Sequence, residues 1–158
     1  MTYEIKTINE LEELINNRKY VADLLINTNI DINHLLCNLT NLTHLEFNSD
    51  KLIDLPLLPN LQKLYFGCNF YQHQTDFSKC TNLQQLCFFG QYNQLTDLSK
   101  CVNLKHLEFG YFYNQLTDLS QLVNLTHLEF GNDYHLMMDL SHLTNLIILH
   151  LCTIKTPT

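Results

Sequence analysis

Apolar positions recur along this chain in a frame of about twenty-one residues. The frame reads Leu-x-x-Leu-x-Phe, as in Leu104-Lys-His-Leu107-Glu-Phe109 and Leu125-Thr-His-Leu128-Glu-Phe130. It opens at Val21, Leu42, Leu61, Leu83, Leu104, Leu125 and Leu146, at successive offsets of 21, 19, 22, 21, 21 and 21 residues. Self-similarity at such a period marks a solenoid, in which each coil covers the apolar side of the coil before it. Within a block the second Leu and the Phe stand two residues apart, so both point to the core face of a strand while their neighbours point away. Seven strands are expected, centred near Leu25, Glu46, Tyr65, Cys87, Glu108, Glu129 and His150. Coils of equal length return these strands side by side as a parallel sheet, about 4.8 Å apart and roughly 30 Å across.

The second half of each block repeats as well. Thr75-Asp-Phe77-Ser, Thr96-Asp-Leu98-Ser, Thr117-Asp-Leu119-Ser and Met138-Asp-Leu140-Ser share one frame. The apolar residue enters the core, and the Asp and Ser bond nearby backbone, as short polar side chains do in turns. So few residues per turn predict extended or single-turn 3₁₀ backbone on the outer side rather than long helix. Pro56 and Pro59 favour extended backbone in the shortest block. Two ladders follow from the stacking. Asn41, Asn60, Asn82, Asn103, Asn124 and Asn145 each precede the first Leu of a block, where a buried amide would satisfy loop backbone groups of the adjacent coil. Phe70, Tyr92, Tyr113 and Tyr134 share one position, as an aromatic spine under the loops or as an exposed row for a ligand.

Residues 1–20 stand apart and are expected to cap the open first coil. Thr7-Ile-Asn-Glu10 is a capping box, and Ile8, Leu11, Leu14 and Ile15 then fall on one face, predicting a helix over about 8–17. Tyr3 and Ile5 suit a short strand before it. The repeats then occupy 21–151 and a tail 152–158.

Charge narrows the partners. The chain has 158 residues, 9 basic against 16 acidic, for a formal net charge of −7. The basic residues form no run, which disfavours nucleic acid and an anionic membrane surface. No apolar run approaches the roughly 20 residues that span a bilayer, and the N-terminus lacks the apolar segment of a secretion signal. The six cysteines show neither CxxC spacing nor a disulfide framework. A cytoplasmic address is expected.

At these residues the chain resembles leucine-rich repeats, and more narrowly the FNIP repeats of amoebae and the giant viruses that infect them. Leu58-Pro-Asn-Leu61-Gln-Lys-Leu64-Tyr-Phe66-Gly67-Cys-Asn-Phe70 follows one half of that pattern, and Leu107-Glu-Phe109-Gly110-Tyr-Phe-Tyr113-Asn114-Gln115 the other. Leu95 and Leu116 stand where the family has proline after Asn-Gln. Leu-Thr-Asn-Leu and Gln-Leu-Thr-Asp-Leu are similar to internalin repeats. The resemblance covers about 21–151. It implies an α/β leucine-rich-repeat solenoid, right-handed, with about seven short parallel strands on a concave face and a short N-terminal helix. It also implies a non-enzymatic protein-interaction module, in the host cytoplasm if viral. Some FNIP proteins carry an F-box, which implies substrate selection for ubiquitin ligases. Residues 1–20 are too short for one, so this chain would be an adaptor or decoy without its own F-box.

The outward strand positions are where function is expected. They read Asp23/Leu25, His44/Glu46, Lys63/Tyr65, Gln85/Cys87, His106/Glu108, His127/Glu129 and Ile148/His150. The partner-binding candidates are His44, Glu46, Lys63, Tyr65, Gln85, Cys87, His106, Glu108, His127, Glu129 and His150. Adjacent Glu108 and Glu129 would repel each other, which suits a basic partner, and Tyr65, Cys87 and Phe89 make a less polar strip fit for an interface core. His106, Glu108, His127 and Glu129 bring two imidazoles and two carboxylates together, the donor set of a zinc site or enzyme, or simply a pH-sensitive polar patch. Outward-facing Cys87 is the candidate reactive thiol, while Cys80 and Cys101 are expected as small core fillers. No catalytic residue and no cofactor is assigned. Ile147 and Ile148 replace polar residues in the last block, marking an edge for a homodimer unless the tail Cys152–Thr158 folds over it.

Overall fold

A computed structural model describes residues 2–17, 20–27, 32–48, 55–70 and 75–151. In chain order they form β1 (Thr2–Ile5), α1 (Ile8–Asn16), β2 (Asp23–Ile26), α2 (Asn33–Leu36), β3 (His44–Phe47) and β4 (Lys63–Phe66). These are followed by β5 (Gln85–Phe88), β6 (His106–Glu108), β7 (His127–Phe130) and β8 (Ile148–Leu151). The strands lie in one parallel sheet in sequence order, β1 to β8. The chain is a parallel solenoid, as the period predicts.

Among the described residues the sheet has eight strands: the seven of the frame, preceded by β1 at the short strand expected around Tyr3 and Ile5. β1 pairs with β2 through Tyr3↔Leu24 and Ile5↔Ile26, the same 21-residue offset as later coils. The first segment is therefore a coil whose second half is the helix α1. Thr7 accepts from the Glu10 amide at 3.4 Å, and the Glu10 carboxylate accepts from the Lys6 and Thr7 amides at 2.7 and 3.0 Å. Leu11 and Leu14 are its buried face. The tail 152–158 lies outside the described residues.

Register follows the repeat. Leu24, Leu45, Leu64, Leu86, Leu107 and Leu128 form one core row, and all are buried. Beneath them run Phe47, Phe66, Phe88, Phe109 and Phe130, with ring centroids 5.9, 5.1, 5.7 and 5.3 Å apart. Each fully buried ring contributes about 1.5–3 kcal/mol relative to exposure. On the outer side, paired i→i+3 bonds such as Cys101 N→Leu98 O and Leu104 N→Cys101 O make successive tight turns. α2 is a single helical turn in the second coil. In four coils the Asp carboxylate accepts from the Ser amide two residues on, at 2.8–2.9 Å. That bond holds Asp76, Asp97, Asp118 and Asp139 below the usual carboxylate range.

The Asn ladder links coils, but from the rim rather than from a buried turn. Asn60, Asn82, Asn103, Asn124 and Asn145 donate to carbonyls of the preceding coil at 2.7–2.9 Å, and all five residues are exposed. Each amide reaches a carbonyl of the preceding coil from this exposed position, without entering the core.

The aromatic spine is an interior element, not a ligand platform. Phe70, Tyr92 and Tyr113 are fully buried. The rings of Phe70, Tyr92, Tyr113 and Tyr134 sit 4.2, 4.1, 3.8 and 3.9 Å from the strand Phe of their own coil. Tyr92 shares a 2.8 Å hydrogen bond with Thr96, whose hydroxyl also donates to Gln94 O, and Tyr113 pairs likewise with Thr117. The flanking coils each lose one partner. In the coil of Thr75 the tyrosine position is Phe70, which has no hydroxyl, and in the coil of Tyr134 the threonine position is Met138; both oxygens are buried without a hydrogen-bond partner among the described residues.

A single substitution therefore has opposite consequences in two coils. Thr96→Val removes the acceptor of a buried Tyr hydroxyl and should cost about 1–3 kcal/mol in urea unfolding. Thr75→Val removes an oxygen that is already unpaired and should be neutral or stabilising. Equal losses at both positions would contradict the pairing.

Candidate functional site: the outward face of the sheet

The side chains not used by the core form two rows across β2–β8. The first is Asp23, His44, Lys63, Gln85, His106, His127 and Ile148; the second is Leu25, Glu46, Tyr65, Cys87, Glu108, Glu129 and His150. Every outward residue expected from sequence lies at its expected register position.

Two imidazoles in the first row are pinned by the residue before them. Thr126 donates to Lys105 O at 2.9 Å, and His127 Nδ1 lies 2.8 Å from the same hydroxyl. With its one proton committed, Thr126 accepts, so His127 carries its proton on Nδ1. Thr43 donates to Ala22 O and holds His44 Nδ1 at 2.8 Å in the same way, with the Asp23 carboxylate 2.9 Å away. His106 is preceded by Lys105 and has no such hydroxyl. Its ring stacks on His127, with centroids 5.5 Å apart. Its Nε2 is buried without a hydrogen-bond partner among the described residues and lies 3.9 Å from a Glu108 oxygen. Glu129 is held by His150 Nδ1 at 3.2 Å.

Cys87 departs from expectation. Its register position is outward, yet the residue is only 1% exposed. Gln85 Nε2 donates toward its sulfur at 3.8 Å. Burial, with Glu108 beside it, pushes the thiol up to about 12. A reactive thiol needs a lowered value and access, so Cys87 is not one in this state. Cys80 and Cys101 are buried as expected. Burial, with Cys87 and the Glu46 carboxylate beside it, also raises Tyr65, whose ring stacks on Phe89 at 6.3 Å.

The metal-ligand geometry differs from the expected set as well. No three of His106, Glu108, His127 and Glu129 converge. Among the described residues one group does, Cys87, His106 and Glu108, with ligand atoms all within 4.8 Å of one another. His127 turns to Thr126 and Glu129 to His150, which removes both from a common point.

Beside the face, at the C-terminal ends of β5–β8, runs a groove of about 570 Å³. Phe89, Tyr111, Glu108, Glu129, His150 and Leu151 line it. Close packing below it depends on glycine: Gly90 has φ of 90°, and a Cβ on Gly131 would stand 2.3 Å from Gly110 O. At the last strand the core row opens. Leu149 and Leu151 are 40% and 50% exposed, and Ile147 is 77% exposed.

Comparison with solved structures gives two internalins from Listeria monocytogenes. One, InlF, superposes with a TM-score of 0.64 at 21% identity, over 95% of this chain and 53% of that one. Internalin C2 gives 0.62 at 22% identity, over 92% of this chain and 66% of that one. The fold is a leucine-rich-repeat solenoid. The chain spans about half to two thirds of the leucine-rich-repeat structures it matches. No protein-family model and no curated protein matches the sequence. No helix among the described residues is long and apolar enough to cross a membrane.

The burial pattern predicts thiol chemistry directly. Alkylation of the native protein followed by peptide mapping should label the exposed Cys37 and Cys68 and leave Cys87 unmodified until denaturant is added. Early labelling of Cys87 would contradict its burial.

Proposed function

We propose that this leucine-rich-repeat solenoid is a non-enzymatic module that binds another protein on the outward face of its sheet. The observation that carries this reading is the pair of rows in register across the sheet. Apart from Leu25, Cys87 and Ile148, their side chains are polar, charged or aromatic, and most serve no core contact. The scaffold beneath them is preorganised, so docking costs little ordering entropy. Glu108 and Glu129 stand beside Phe89 and Tyr111 along the groove, which suits a partner segment carrying both a cation and an apolar side chain. We read the repeats as FNIP-type, on the stretch Leu58–Phe70, and any role in ubiquitin ligation as one completed by a partner chain. Free Cys37 and Cys68 on the surface support a reducing, intracellular setting.

The test is capture by a photo-crosslinking residue placed at Tyr65, Glu108 or Glu129, with Asp118 on the outer turns as the control. The same partner should be trapped from the three face positions and not from Asp118. Combined alanine changes at Tyr65, His106, Glu108, His127 and Glu129 should then abolish capture. Retained capture in that variant would contradict the assignment.

A further inference from the structure

We propose that Cys87, His106 and Glu108 form a binding site for a thiophilic divalent cation of the zinc class on the outward face. The three ligand atoms already lie within 4.8 Å of one another. Zinc bonds of about 2.0–2.3 Å set tetrahedral ligand–ligand separations of roughly 3.3–3.7 Å. The 3.9 Å between His106 Nε2 and the Glu108 oxygen is too long for a hydrogen bond but close to that separation. A small inward rotation of half-exposed side chains completes the set: His106 and Glu108 retain 26% and 32% exposure and form the rim, with the sulfur beneath them.

The unpartnered Nε2 of His106 is the independent sign of a missing ligand. A buried ring nitrogen without a hydrogen-bond partner is costly, and His106 presents it beside the Glu108 oxygen and the Cys87 sulfur. The surroundings supply the outer shell that a metal thiolate needs. Gln85 donates to the sulfur, and Glu129, tied to His150, adds negative charge nearby. Thiolate, carboxylate and neutral imidazole together balance a dication. Binding replaces the thiol proton: the S–H bond breaks, an S–metal bond forms, and the proton leaves to solvent. Three protein ligands leave a fourth position open to water or to a donor group of a docked partner. The site lies on the proposed docking face, but its test does not depend on that reading, since the cation can bind the chain alone.

Cobalt(II) added to the full chain under a non-thiol reductant tests it. One equivalent should give a thiolate-to-cobalt band in the near ultraviolet with intense tetrahedral visible bands, displaced by one equivalent of zinc. Cys87→Ser should abolish the thiolate band, with circular dichroism confirming the fold. Two variants at exposed or half-exposed positions keep the test valid if that one misfolds. Glu108→Gln removes a ligand. His106→Gln removes the imidazole ligand, and should weaken cobalt by more than the roughly 10–100-fold typical of an outer-shell change. No thiolate band in the unaltered protein, a band that survives Cys87→Ser, or unchanged affinity in both Glu108→Gln and His106→Gln would overturn the site.

Discussion

One constraint organises this molecule: a coil of about twenty residues cannot bury its own apolar side and must be covered by the next. Parallel backbone pairing fixes the height of each step, and the Leu and Phe rows fix its register, because a slip of one residue would turn every core side chain outward. The rest depends on that repeat. The stacked rings, the Asn amides reaching back one coil and the Asp–Ser turns all reuse one geometry at each level. The close approach of Gly131 to Gly110 shows how little space separates successive coils.

The same constraint separates what builds the fold from what is free for function. Positions inside the coil are bound to a shape and vary little: Phe47, Phe66, Phe88, Phe109 and Phe130 share one place. Outward strand positions meet chiefly one another and the residues that flank the strands. That is why charge, imidazole and sulfur gather there, and why a binding surface is the natural product of this architecture. Likeness to the internalin structures, at 21–22% identity, extends to the fold; the residues on the face belong to this chain.

Much of this was legible in the sequence, for a physical reason. A two-residue side-chain alternation within a fixed period assigns each residue to core or face without any contact being known, and the whole register follows. β1 was harder to see because Tyr3 and Ile5 replace the Leu and Phe of the frame, although their offset is the same. Cys87 was misjudged because alternation gives direction and not exposure; a small side chain between larger neighbours is covered even when it points outward. The paired Tyr and Thr hydroxyls were present in the spacing of Tyr92 to Thr96 and Tyr113 to Thr117, but only packing shows that both lie in one buried place. The group of Cys87, His106 and Glu108 escaped for a related reason: the repeat pairs like residues along one row, whereas these three lie across two rows and two coils, with the sulfur buried.

The central claim is that stacking of the inner rows holds the fold while the outward rows are energetically free for binding. Urea unfolding of Phe88→Ala and Glu129→Ala tests it most directly. Phe88 sits between Phe66 and Phe109 and against Tyr92, so its loss should cost about 3–5 kcal/mol. Glu129→Ala should change stability by no more than about 0.5 kcal/mol. Comparable losses from the two variants, or a mild effect of Phe88→Ala, would contradict the account.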